Sequence, residues 1–137
     1  MTVRVYVPLT STGLARLVAE GRLDGPFRAH AVTDALRAAW ADGDEDGWEY
    51  AALMAAAADS ASQRGEGDAP RRYVLAADVP AVVPMTGDDP TAVDVAADVP
   101  WKHVAAAHVD TADWGPDGAD EDEDLAWFAT QEIARLV

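Results

Sequence analysis

An α+β fold is what this sequence predicts: a mixed sheet of five strands with about four helices, in the order β-α-β-α-α-β-β-β-α. Three observations predict it. Residues 3–9, Val-Arg-Val-Tyr-Val-Pro-Leu, alternate with a period of two and are rich in β-branched side chains. Capped stretches with helical spacing separate the early strands. The later strands, 72–79, 91–97 and 104–109, follow one another without a helix between them, which argues against a purely parallel, doubly wound sheet.

Each element has its own signal. Thr10, Ser11 and Thr12 offer N-caps to a helix whose stripe is Leu14, Leu17 and Val18, and Gly21 is a C-cap. Gly25-Pro26 breaks the chain before a second strand over 27–32. Thr33 caps a short helix with Leu36 and Trp40 facing inward. A longer helix follows, with Asp46 and Glu49 as a capping box and Tyr50, Leu53, Met54 and Ala57 as its apolar face. It ends in the polar, glycine-containing link Ser60–Pro70. Ala-Ala-Asp-Val-Pro occurs twice, at 76–80 and 96–100. Either the chain carries an internal duplication, or two neighbouring strands leave the sheet in the same way. Met85–Pro90 is a loop, 101–103 a short turn and 110–121 an acidic loop. Acids at 122–124 open a last helix, 122–136, with Leu125, Phe128, Ala129, Ile133 and Leu136 on the face that packs on the sheet.

All 137 residues fit a single domain, large enough to bury roughly two thirds of its unfolded surface. The 30 alanines fill space thinly, so the five tryptophans carry much of the core volume. With no cysteine, disulfides, thiolate metal sites and a cysteine nucleophile are excluded. No signal peptide or membrane-spanning run is legible, and a cytoplasmic protein is expected.

Charge is distributed unevenly. Residues 1–40 carry five arginines and three acids, a balance of +2; residues 41–137 carry 22 acids and five bases, a balance of −17, for a net charge of −15. Such a field repels nucleic acid and anionic membrane and attracts cations or basic partners.

No catalytic set emerges. Asp42-Gly-Asp44-Glu-Asp46-Gly47 matches the first half of an EF-hand loop, with oxygens at positions one, three and five and then the glycine. Position twelve, the bidentate glutamate of that loop, is Leu53, and position eight is Glu49. The alternative is an acid-rich helix start with at most weak cation binding. His103, His108 and Asp110 are a zinc or acid–base set only if a turn makes them converge, because histidines five apart on a strand point to opposite faces. His30 reads as a half-buried structural residue. Ser11, Thr12, Ser60 and Ser62 lack a nucleophile elbow, and no glycine-rich phosphate loop is present.

Four blocks carry a resemblance: Arg4–Thr10, Ala31–Arg37, Glu49–Leu53 and Trp127–Ile133. Through them nearly the whole chain resembles an uncharacterised family of small acidic actinobacterial proteins, a likeness that implies no function. The order of the early elements and Glu20-Gly-Arg-Leu23 also resemble ADP-ribosyltransferase-like domains. That likeness implies a dinucleotide gripped by a first-strand His or Arg, a second-strand aromatic or Ser/Thr, and a late glutamate. Here those places hold Arg4, then His30 or Thr33, then Asp94. The triad is not recognisable, and none of these residues carries over as a site.

The sequence therefore reads as a non-catalytic protein without a cofactor that binds or regulates a basic protein partner. The residues expected to do so are Asp110, Asp113, Trp114, Asp117, Asp120, Glu121 and Asp122, with Trp114 as the exposed anchor and Trp127 in helix packing. A competing reading is a divergent enzyme acting on a nucleotide or dinucleotide, which needs a basic pocket drawn from Arg4, Arg16, Arg28, Arg71 or Arg72. A third is a purely structural subunit, marked by a large exposed apolar patch.

Overall fold

The computed structural model describes residues 2–137. Strands are β1 (Val3–Leu9), β2 (Arg22–Leu23), β3 (Phe27–His30), β4 (Tyr73–Val79), β5 (Val83–Pro84), β6 (Ala92–Val95), β7 (Val99–Pro100), β8 (Val104–Val109) and β9 (Ala126–Ala129). The α-helices are α1 (Ser11–Glu20), α2 (Asp34–Ala39) and α3 (Glu45–Gln63), and Trp101–His103 and Thr130–Leu136 are 3-10 segments. Seven strands form one sheet in the order β5-β6-β3-β1-β4-β8-β9, and β2 pairs with β7 apart from it. The architecture is α+β, but the sheet has seven strands and every pairing in it is antiparallel, where five strands in a mixed sheet were expected.

β1 lies in the middle of the sheet, and its alternation sorts two cores. Val5, Val7 and Leu9 face a larger core with Leu75, Ala77, Val93 and Val95, covered by Leu14 and Leu17 of α1 and by Ile133. Tyr6 faces the other way, with Val74, Ala76 and Ala106, and α3 covers them with Ala52, Ala56 and Ala57. The expected face of α3 is corrected here. Ala57 is buried and Leu53 and Met54 pack half-buried beside it, as expected, but Tyr50 is 47% exposed, and Ala52 and Ala56 complete the buried face, their small side chains letting the helix sit close to the sheet. Trp40, expected to be buried, ends α2 and is 45% exposed.

Caps hold where a hydroxyl was available. Thr10 Oγ1 accepts from the Gly13 amide, Gly21 ends α1 at φ 72°, and Thr33 caps α2. The cap of α3 is Asp44, whose Oδ1 accepts from the Gly47 amide at 2.8 Å; Asp46 lies inside the first turn instead. The repeated pentapeptide is not a duplication of structure. Its first copy begins within β4, where Asp78 pairs with Arg4 across the strand. Its second copy leaves β6, where Asp98 accepts from the Gly25 amide before β7. β4 and β6 are not neighbours.

The largest difference lies at the C-terminus. The expected helix 122–136 is a strand, β9, followed by the 3-10 segment. β8 explains this. Four of its six residues are buried, so its outer backbone groups need partners, and β9 supplies them from Val109↔Ala126 to Ala106↔Ala129. The strand alternation sends Phe128 to the larger core and leaves Trp127, opposite His108, 62% exposed. Thr130 Oγ1 then donates to the carbonyls of Val104 and Ala105, beside the register shift between β4 and β8.

Ile133 is completely buried, while Trp127 is not. Ile133→Ala should therefore cost about 2–5 kcal/mol, and Trp127→Ala about 0.5 kcal/mol. Urea titrations of the two variants check this, and equal losses would show that the C-terminal segment is not anchored by Ile133.

Candidate functional site

Arg72 enters β4 almost fully buried, 3% exposed, and points at Asp110, where the chain leaves β8. Its Nε donates to Asp110 Oδ2 at 3.1 Å and its Nη2 to Oδ1 at 2.9 Å, a bidentate pair. Asp110 also accepts from the Arg72 amide at 2.7 Å and from the Trp114 indole at 2.9 Å. Burial pushes the Asp110 carboxyl up, but the hydrogen bonds from Arg72 and Trp114 outweigh it and hold the group below its ordinary value. Arg72 Nη2 also donates to the Glu123 carbonyl, which ties the far end of the acidic loop to the same guanidinium.

Three of the residues expected to meet a partner are thus occupied within the fold. Asp110 is buried, Asp113 pairs with Arg71 at 2.7 Å, and Trp114 is half-buried with the Arg64 guanidinium 5.5 Å above its ring. The other four differ. Asp117 and Asp120 to Asp122 are exposed and form no ion pair among the described residues. Sequence reasoning did not foresee Trp127 as the exposed tryptophan, because only the strand alternation of β9 turns it outward.

The two acidic stretches, far apart in sequence, meet in space. Tyr50 in α3 donates from its hydroxyl to Asp124 Oδ1 at 2.6 Å. At the preceding residue, Glu49 Oε2 accepts from the Tyr6 hydroxyl at 2.6 Å, and the Tyr6 ring meets His108 edge-on at 6.3 Å. Burial, then the Glu49 hydrogen bond, raises the Tyr6 hydroxyl far above its ordinary value, so it stays a donor. The start of α3 and the 117–124 loop therefore form one anionic face. Within it Asp42, Asp44, Asp46, Glu49, Asp117, Asp120, Glu121, Asp122, Glu123 and Asp124 have no cationic partner among the described residues. Between α3 and the loop runs a groove of about 550 Å³, lined by Met54, Ala58, Ala61, Ser62, Arg72, Asp117, Ala119 and Glu121.

The calcium-like motif has a packing explanation. A side chain at Gly43 would come within 2.8 Å of the Trp40 ring, and one at Gly47 equally close. Trp48 Nε1 donates to the Trp40 carbonyl, and Arg37 stacks on Trp48. The glycines make room for tryptophan, and Asp44 is spent as a cap. His103 is exposed in a 3-10 segment and His108 is half-buried in β8, while Asp110 is held by Arg72; the three are not brought together. Burial and then Arg4 lower the His108 pKa. Among the described residues no group of three or more His, Asp or Glu is placed to hold a metal.

His30 is fully buried, not half-buried, at the centre of a polar clasp. Nε2 lies 2.6 Å from Asp59 Oδ2 of α3, and Nδ1 lies 2.7 Å from Thr91 Oγ1. Thr91 in turn donates to Asp89 Oδ1 at 2.6 Å. Both ring nitrogens are thus occupied, one by the Asp59 carboxylate and the other by the Thr91 hydroxyl, with Asp89 Oδ2 3.5 Å from Nδ1. Arg28 flanks both carboxylates, at 3.9 and 3.7 Å. The threonine proton goes to Asp89 and the hydroxyl is buried, so this is a clasp joining β3, α3 and the loop before β6, not an activated nucleophile. Burial pushes Asp89 up; its hydrogen bonds from Thr91 and the His30 and Arg28 charges bring it below its ordinary value. Sequence carries no signal for Asp59 and Asp89 as His30's partners.

The arginines that a nucleotide site would need do not assemble. Arg4 pairs with Asp78, Arg16 with Glu20, Arg28 with Asp59 and Asp89, Arg71 with Asp113 and Arg72 with Asp110.

Two outcomes are expected. Asp110→Asn leaves Arg72 buried without a counter-charge and should cost about 3–5 kcal/mol by denaturant titration. Because the Asp110 pKa is lowered in the fold, its contribution is complete above the unfolded value of about 3.9 and is lost as pH falls through the lower folded value. The gap between wild type and Asp110→Asn should therefore be constant from about pH 7 to 5 and shrink below about pH 4; a gap that widens on acidification contradicts the pairing. Calorimetry with calcium should show no binding tighter than about 0.1 mM, since the motif's acids lack the position-twelve carboxylate; micromolar binding with a raised melting temperature would overturn that.

No curated protein and no solved structure matched the chain, so the likeness to ADP-ribosyltransferase-like domains gains no support. One family profile does match, over residues 3–137, nearly the full length. The chain belongs to that family, described as a family of unknown function (DUF6912).

Proposed function

We propose that this protein binds a basic protein partner on the anionic face built from the start of α3 and the 117–124 loop. One observation carries the reading: the Tyr50–Asp124 hydrogen bond joins two acidic stretches into a single face on which, Glu45 beside Arg37 apart, the carboxylates have no cationic partner among the described residues. A field of one sign over a continuous surface attracts and orients a partner of the other sign. Trp127, exposed on β9 opposite His108 of β8, supplies a large apolar anchor on the sheet surface that carries Tyr6, whose hydroxyl donates to Glu49 of α3. Aromatic side chains of this kind dominate interface energetics when a partner covers them. Binding by this face requires no reaction and no cofactor. The nucleotide-enzyme reading has no comparable support, because each candidate arginine is already held by a carboxylate.

Partners recovered by pull-down from native cytoplasm should be basic, and their affinity should fall about tenfold or more between 50 and 500 mM salt. Over that range the screening length drops from above about 10 Å to about 4 Å. Neutralising Asp120, Glu121 and Asp122 together as Asn, Gln and Asn should reproduce much of the loss at low salt. A salt-independent affinity would sink the reading.

A further inference from the structure

The groove under the acidic loop contains a donor that a purely electrostatic face does not need. Arg72 lines the groove, and its Nε and Nη2 are taken by Asp110 and the Glu123 carbonyl. Its Nη1 has no acceptor among the described residues, and the Arg72 side chain, though only 3% exposed, lines the groove. Met54, Ala58 and Ala61 supply an apolar wall, and Asp117 and Glu121 form the opposite lip.

This combination selects among ligands. An anion such as a phosphate meets the repulsion of Asp117 and Glu121, while the charge of Arg72 is already balanced by Asp110. A simple cation satisfies the lip but leaves Nη1 unused. A chain that carries neutral carbonyl oxygens and cationic side chains together satisfies both, and its aliphatic stems cover Met54 and Ala58. We propose that the groove seats the main chain of a Lys- or Arg-rich polypeptide segment. One backbone carbonyl accepts from Arg72 Nη1 and the basic side chains reach Asp117 and Glu121. The proposal rests on the partner-binding reading above and specifies where, and by which atoms, the segment is held.

The test compares two probes of equal charge. Acetyl-tetralysine-amide and spermine both carry four positive charges at neutral pH, but only the peptide has carbonyls. Isothermal titration at low salt should show the peptide binding about tenfold tighter, the value of a hydrogen bond from a charged donor. Ala58→Phe, which fills the groove from an exposed helix position, should abolish that advantage and leave spermine affinity unchanged. In the unaltered protein, the Met54 methyl resonance should shift with the peptide and stay still with spermine. Equal affinities and an unmoved Met54 would overturn the groove assignment and leave the anionic face standing. Failure of both probes to bind would overturn the face as well.

Discussion

The buried pair of Arg72 and Asp110 is the constraint on which the C-terminal third of the molecule depends. Two oppositely charged groups taken out of water cost several kcal/mol each, and only near-complete hydrogen bonding offsets that. Here the carboxylate receives donors from the Arg72 side chain, the Arg72 amide and the Trp114 indole. Because Arg72 precedes β4 and Asp110 follows β8, the pair staples adjacent strands at the end where the loop departs. The guanidinium then reaches the Glu123 carbonyl, so the same residue marks the loop's beginning and its end. A 16-residue excursion without regular structure is thus returned to the sheet at β9.

On the α3 side the sheet meets alanine, and the consequence runs through the whole helix. Ala52, Ala56 and Ala57 allow close approach but bury little area each. Polar contacts therefore fix the helix along its length. Glu49 takes the Tyr6 hydroxyl near its start, Asp59 takes His30 near its end, and Ser60 donates to the Leu9 carbonyl and accepts from the Tyr73 amide. Each bond is directional, so together they fix the helix rotation that small apolar side chains leave loosely specified. The rotation in turn sets Tyr50 outward, toward Asp124.

The sequence made some of this legible and hid the rest for physical reasons. β1, α1 with Thr10 and Gly21, and β8 were readable because alternation and capping are local. The C-terminal segment was not. Leu125, Phe128, Ile133 and Leu136 suit a helical stripe, and only the unmet edge of β8 favours a strand over 126–129. The glycines around Asp44 resembled those of a cation loop, a weak candidate beside an acid-rich helix start, because the tryptophans they accommodate are close in sequence but act through space. Among the site residues, the exposed Asp117 and Asp120 to Asp122 were found by composition alone, whereas Asp110, Asp113 and Trp114 share that composition and are engaged by Arg72, Arg71 and Arg64 within the fold. An arginine partner separates the two groups, and the sequence did not disclose which arginines reach the loop.

The manner in which the acidic loop is held explains how so much like charge persists on one face. Counter-ions would anchor it but would also cancel its field. Neutral donors are used instead: the Tyr50 hydroxyl for Asp124 and the Asp122 amide for Asp120. On α3 the backbone does the same work, with Glu45 and Asp46 in the first turn, where the helix dipole favours negative charge. The cations at the loop are engaged at its beginning, Arg71 with Asp113 and Arg72 with Asp110, and the 117–124 stretch receives from Arg72 only a hydrogen bond to a carbonyl. Geometry and charge are thereby decoupled. The fold fixes where the carboxylates stand without neutralising them, and their mutual repulsion remains as free energy that the proposed basic partner would relieve on contact.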